Sequence, residues 1–328
     1  MLATPDRYLF GFEGDQAMVL AMDRAAYRRS IFLDDRIDPA SEQPWHVPVA
    51  QLSPVIPAPC MAWIFHMAHC GSTLLARALD RIDGSLVLRE PFALRQLAVA
   101  SANGTVDDGR LALVKTLLAR RYDADKMTIV KANVPVNFML PKLLDADTPA
   151  ILLYFPLADY LVAVLRSDGH RGWVRRVTTE LAPAIVAVAG SLPDSDAERA
   201  AALWLAQLRM FAQASATFPR ACNLDAELLF ATPGPVVAAA AAVFGQPMSP
   251  VETDAVVNGP LFSSYAKNPG VAFDNAARLA RKSAIETHLR DEVARARDWV
   301  AAACEGHPLP DRLDRPLLAD APQRSLVG

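Results

Sequence analysis

Three stretches hold residue types suited to anion chemistry: Ala68-His69-Cys70-Gly71-Ser72-Thr73, the pair Arg89-Glu90, and Lys131. A glycine followed by two hydroxyl residues at the start of an amphipathic helix is a phosphate- or sulfate-binding pattern. The first helical turn carries amide N–H groups without intrahelical partners and the positive end of the helix dipole. Gly71 lets the backbone approach an anion closely, and Ser72 and Thr73 add hydroxyl donors. The same residues also suit an ordinary strand-to-helix connection with Ser72 as cap. A carboxylate such as Glu90 can take a proton, and an ammonium such as Lys131 can stabilise developing negative charge. Their ordinary alternatives are a first-turn acid beside Pro91 and a solvated strand-end lysine. His69 offers one hydrogen bond when neutral and a charge once protonated, at about pH 6.5 for a free imidazole. His66 reads as a satisfied buried histidine. Cys70 stands where a helix start lowers a thiol pKa, but no base partner for a nucleophilic cysteine is visible.

These groups act together only if the fold brings them to one place. Ala62 to Phe65, Ser85 to Leu88, Met127 to Val130 and Ala150 to Tyr154 read as short buried strands. Between and after them, helices are expected near 74–79, 92–100, 111–121, 137–144 and 157–166. Short apolar strands alternating with helices predict an α/β fold with a doubly wound, mainly parallel sheet. In such sheets ligands sit at the carboxyl ends of the strands. The loop, Glu90 and Lys131 each end a strand, so all three fall on that edge.

An N-terminal β-hairpin is expected from 8–12 and 18–23 around Gly14. Residues 38–60 hold six prolines and read as an extended, irregular connection. Beyond Gly172 the chain is largely helical, at about 173–190, 196–216, 235–244 and 274–303, with 222–224 as a last short strand. The expected organisation is 1–60 packed on the core, 61–305 as the α/β domain, and 306–328 as a flexible tail. Asp159 and Asp225 read as caps or ion-pair partners. The charges from Arg278 to Arg297 read as a solvated helix face, and Tyr265 and Lys267 sit in a loop able to close over a ligand.

Composition excludes several classes. With 52% hydrophobic and 21% charged residues over 328 positions, the chain can bury a sizeable core. A net charge of −3 gives no support to nucleic-acid binding. The four cysteines (Cys60, Cys70, Cys222, Cys304) are widely spaced, which fits reduced thiols and neither a disulfide framework nor a zinc site. The first twenty residues carry Asp6, Arg7, Glu13 and Asp15, so no signal peptide is visible, and the alanine-rich run at 236–245 is too short to span a bilayer. A cytoplasmic protein with no membrane partner is expected.

The strand-end residues resemble the sulfotransferases that use 3′-phosphoadenosine-5′-phosphosulfate (PAPS), which are P-loop-like α/β proteins. The similarity lies in Ala68 to Thr73 with Leu74 to Leu79, in Arg89-Glu90-Pro91-Phe92, in Ile129-Val130-Lys131 with Pro135, in Ile151 to Tyr154, and in Leu224 to Leu229 with Pro233. It covers roughly residues 61–245 and is closest to divergent bacterial members. The resemblance implies that His69, Cys70, Gly71, Ser72 and Thr73 form a phosphosulfate loop, with His69 where the family has Arg or Lys. It implies Glu90 as general base, Lys131 as the cation on the sulfuryl group, PAPS as co-substrate without a metal, and a small-molecule hydroxyl or amine acceptor. Tyr154 and Phe155 stand where the family has a 3′-phosphate Arg, and Ala163 where it has Ser. Arg166 and Arg171 are the expected substitutes, with His170, Arg175 and Arg176 nearby. Two other readings compete. One is a non-catalytic relative that binds an anionic ligand. The other is a P-loop kinase or NTPase, which the sequence disfavours because His66 and Ser72 replace the first Gly and the Lys of the Walker pattern.

Overall fold

Apolar strands buried on both faces require a sheet covered by helices on both sides. A computed structural model, which describes residues 4–52, 61–80, 84–124 and 126–327, shows that sheet. The N-terminal strands β1 (Arg7–Glu13) and β2 (Gln16–Ala21) form the expected hairpin, and the short helix α1 (Arg24–Arg29) follows. The 38–60 segment departs from its irregular expectation. Within it, β3 (Ser41–Pro48) pairs antiparallel with β2 and completes a three-stranded sheet. Its prolines are compatible with pairing because β3 is an edge strand, and the register shifts between Val19 and Ala21, where Pro44 falls. Residues 53–60, with Cys60 and the last three prolines of that run, lie outside the described residues.

The main sheet is built from β4 (Met61–His66), β5 (Val87–Arg89), β6 (Thr128–Lys131), β7 (Ala150–Tyr154) and β8 (Ala221–Asp225). All pairings are parallel and the order is β5-β6-β4-β7-β8, an α/β doubly wound arrangement. From β4 the chain runs toward one edge through β5 and β6, then crosses to β7 and β8 on the other side. The order therefore reverses at β4, the position where ligand crevices form. The connections carry α2 (Ser72–Ala78), α3 (Phe92–Ala102), α4 (Asp108–Leu118), the short α5 (Leu140–Leu143), α6 (Leu157–Leu165), α7 (Asp168–Glu180), α8 (Ala182–Ala189) and α9 (Asp196–Thr217).

The 22-residue α9 is the central helical packing element. Its Trp204 is fully buried and donates its indole N–H to the Phe155 carbonyl at 2.9 Å, holding the end of β7. After β8 come α10 (Ala226–Ala231), α11 (Pro233–Val243), α12 (Pro250–Val257) and a small antiparallel ribbon of β9 (Ser264–Tyr265) and β10 (Asn268–Ala272). The single helix expected at 274–303 is two helices, α13 (Asn275–His288) and α14 (Arg290–Ala303), broken where Leu289 turns into the core. None of the described helices is long and apolar enough to cross a membrane.

The C-terminal segment differs from the loose tail expected of its composition. Leu313 and Leu326 are buried, and Pro316 bridges Asn223 on β8 in parallel fashion. Asn223 donates to the Arg315 carbonyl at 2.8 Å and accepts from Leu317 at 2.7 Å. The physical reason is the exposed edge of β8, whose backbone groups need partners.

Candidate active site at the carboxyl edge of the sheet

Parallel register brings the strand-end groups together. Lys131 closes β6, which lies between β5 and β4; Arg89 and Ile64 are its partners on either side. Glu90 is one residue past Arg89 and His66 two past Ile64, so both flank Lys131. The Lys131 ammonium is ion-paired to Glu90 Oε1 and donates to His66 Nε2 at 3.0 Å. His66 Nδ1 donates to the Met67 carbonyl at 2.8 Å, which fixes the tautomer and leaves Nε2 free to accept. Burial and the neighbouring ammonium hold the His66 imidazole down to about 3, so it is neutral. Burial alone would raise the Glu90 carboxyl, but Lys131 and the other nearby groups bring it down to about 2. Glu90 is thus ionised at neutral pH. Its backbone N–H donates to the Lys131 carbonyl at 2.7 Å, locking the two strand ends together.

Three described non-glycine residues have positive φ, and two of them are here: His69 at 61° and Glu90 at 59°. Such backbone costs about 1–3 kcal/mol per residue and persists where the surroundings enforce it, commonly at functional sites. Gly71 adopts φ 84°, and a Cβ there would stand 2.8 Å from Phe230 Cζ and 3.1 Å from Leu229 Cδ2. The loop therefore needs glycine twice over, for its conformation and for its closeness to α10. Gly71→Ala is expected to destabilise the fold by about 1–3 kcal/mol from backbone strain alone. Urea unfolding of the variant checks this; an unchanged midpoint and slope would show that the loop tolerates a side chain.

Two cavities open on this edge. The first, of about 600 Å³, is lined by His69, Gly71, Ser72 and Thr73 of the loop and by Phe155 and Ala163. It is lined by five cationic side chains, Arg166, Lys267, Arg278, Arg281 and Lys282, against two carboxylates, Asp159 and Glu227. The Thr73 hydroxyl is buried with no hydrogen-bond partner. The second cavity, of about 680 Å³, is lined by Glu90, His66 and Asn133, with aromatic walls from Phe32, Phe92 and Trp173. Its charged pairs Asp34–Arg36 and Arg95–Glu180 are already matched internally.

Several site residues stand differently from expectation. His69 supplies no charge: burial, then Lys267, His170 and Arg166, hold its imidazole down to about 2, and its ring packs 4.5 Å from that of His170. Cys70 lines neither cavity. Its side chain is fully buried, burial pushes the thiol up to about 11, and only its backbone can serve the loop. Arg166 lines the first cavity, but Arg171 does not. Its guanidinium is held by Glu292 at 2.8 and 2.9 Å, with Asp196 at 3.7 Å. Lys131 lines neither cavity either, being fully buried behind Glu90 and His66.

Conversely, Arg278, Arg281 and Lys282, read from sequence as a solvated face, line the first cavity. Their i, i+3, i+4 spacing, which places them on one side of α13, was the available signal. Arg278 pairs with Glu227 and Lys282 with Asp159. Asp159 also meets Arg324 at 2.7 Å, so the C-terminal segment helps to hold this wall.

No protein-family model matches the chain, and no curated protein matches it. Among solved structures, the sulfotransferase domain from the curacin biosynthetic pathway is similar at a TM-score of 0.41 and 13% identity, over 66% of this chain and 84% of that one.

Proposed function

We propose that this chain is a sulfotransferase that moves a sulfuryl group from PAPS to a hydroxyl or amine of a small-molecule acceptor. One observation carries the reading: a cationic cavity on a glycine loop and an aromatic-walled cavity holding an ionised carboxylate meet on one sheet edge. The first suits a polyanionic nucleotide in size and charge, since small-molecule sites commonly span about 300–1,000 Å³. The unpartnered Thr73 hydroxyl, the close-approach Gly71 and the excess of cations are what such a ligand would satisfy. PAPS, when bound, supplies an activated sulfonate whose leaving group is the 5′-phosphate.

The chain's own residues do the rest. The amides of Gly71 to Thr73 hold the 5′-phosphate, and Arg166, Arg278 and Lys282 face the remaining phosphate. Phe92 and Trp173 seat the acceptor, and Glu90 accepts its proton as the nucleophile advances. Lys131 and His66 hold Glu90 ionised and aimed. Positioning and electrostatics dominate, as they do for phosphoryl transfer. A reducing, cytoplasmic setting belongs to the same reading, and Cys70, Cys222 and Cys304 are free thiols.

A second reading, a non-catalytic anion binder on the same fold, is favoured by one feature. Phe155 and Ala163 line the first cavity where a 3′-phosphate partner would stand, and two of its cations are spent on Glu227 and Asp159. Calorimetric titration with 3′,5′-adenosine bisphosphate, ADP and ATP with Mg²⁺ separates the readings. Selective binding of the bisphosphate supports sulfuryl transfer. Preference for ATP with Mg²⁺ points to a kinase or NTPase, and no nucleotide binding leaves the anion binder.

A further inference from the structure

The two cavities share two lining residues, His69 and Lys267. His69 is neutral, which leaves Lys267 as the one cation common to both among the described residues. Any group passing from a ligand in one cavity to a ligand in the other passes this junction. Lys131 cannot serve there, because its ammonium is buried and engaged by Glu90 and His66. Both amines lie near the Phe32 ring, with Lys131 Nζ at 5.6 Å and Lys267 Nζ at 5.5 Å from its centroid. Lys267 is exposed, and no carboxylate among the described residues lies in ion-pair contact with it.

The position of Lys267 is built. It occupies the turn between β9 and β10, and the neighbouring Ala266 carbonyl accepts a hydrogen bond from Arg77 at 2.8 Å. Arg77 belongs to α2, the helix that follows the loop. On the other side Tyr265 meets Arg281 of α13. The ribbon is thereby tied both to the loop helix and to the cationic wall of the first cavity.

We propose that Lys267 is the catalytic cation that contacts the oxygens of the transferring sulfonate, while Lys131 is a positioning residue for Glu90. The assignment rests on the sulfotransferase reading. In the step, the acceptor oxygen or nitrogen forms the new bond to sulfur as the bond from sulfur to the bridging oxygen breaks. The electron pair of that bond stays on the oxygen, which leaves as a 5′-phosphate oxygen of 3′,5′-adenosine bisphosphate. The acceptor proton passes to Glu90. Lys267 holds the sulfonate oxygens in line between the leaving oxygen and the acceptor atom.

The test is calorimetric titration of PAPS and of 3′,5′-adenosine bisphosphate into the unaltered chain, Lys267→Met and Lys267→Arg, with turnover measured alongside. Lys267 side-chain exposure makes both variants compatible with folding, and circular dichroism verifies it. A charged hydrogen bond to the sulfonate predicts that Lys267→Met weakens PAPS by about tenfold to a hundredfold relative to the bisphosphate. Turnover falls by about 10²-fold or more, and Lys267→Arg recovers part of both. If Lys267→Met weakens the two nucleotides equally, Lys267 holds a phosphate of the nucleotide and the assignment is overturned. An unchanged affinity ratio with near-normal turnover overturns it as well. If the unaltered chain binds neither nucleotide, the sulfotransferase reading itself falls, and the assignment falls with it.

Discussion

If the chain transfers sulfuryl groups as proposed, Glu90→Gln is expected to lower that activity by about 10²–10⁴-fold, the usual range for one positioned general base. The glutamine amide has the same shape as the carboxylate, and its oxygen can still accept from the Lys131 ammonium. What it cannot do is take the acceptor's proton. Glu90 lines the cavity proposed for the acceptor and not the loop cavity, so nucleotide affinity should change little in the same variant. The loss therefore appears in kcat and not in nucleotide binding. Release of 3′,5′-adenosine bisphosphate, measured with the best acceptor from a panel of phenols, alcohols and amines, gives the turnover. A Glu90→Gln variant that retains near-normal turnover would remove Glu90 from the chemistry.

Lys131→Met has its largest effect on stability. Methionine fills much of the lysine volume, but it strands the Glu90 carboxylate beside an apolar side chain. Breaking a buried ion pair by removing one partner typically costs about 3–5 kcal/mol. The sign of the pH dependence follows from the two carboxyl states. In the unaltered chain the Glu90 carboxyl lies at about 2, below the ordinary 4.5, so it contributes stability above pH 4.5 that is lost as pH falls toward 2. Without Lys131 the burial that raises the carboxyl acts with its chief opponent gone, and the group moves upward. Stability of the variant then falls as pH rises through that higher value. The gap between the two proteins should be wider at pH 7 than at pH 4 in urea unfolding. An equal gap at both, or a loss under about 1 kcal/mol, would show that the pair does not couple to Glu90 ionisation as described.

The sheet was legible because its strands are short apolar runs with polar ends, and parallel strands place those ends on one edge. Glu90 and Lys131 could be placed on that edge from sequence for that reason alone, though not as an ion pair. The environment of each side chain was less legible. Nothing local marks Lys131 as buried or His69 as neutral, since both follow from neighbours far along the chain, such as His66, Lys267 and His170. Arg171 looked as available as Arg166 until Glu292, 121 residues on, is seen to hold it. The alternating charges of α13 satisfy the pattern of a solvated helix, and only its contact with α6 and α10 turns Arg278 and Lys282 toward the cavity. Strand β3 was obscured by its prolines and the C-terminal segment by its polar composition. Each is decided by an open sheet edge elsewhere in the chain.

The central claim is that the loop cavity is a nucleotide site set against a separate acceptor cavity. A crystal structure of the chain with 3′,5′-adenosine bisphosphate tests it most directly. The 5′-phosphate is expected on the backbone of Gly71 to Thr73, with the nucleotide along Phe155, Arg166 and Arg278 and the Glu90 cavity left open. A nucleotide seated against Glu90, or bound away from the loop, would contradict it.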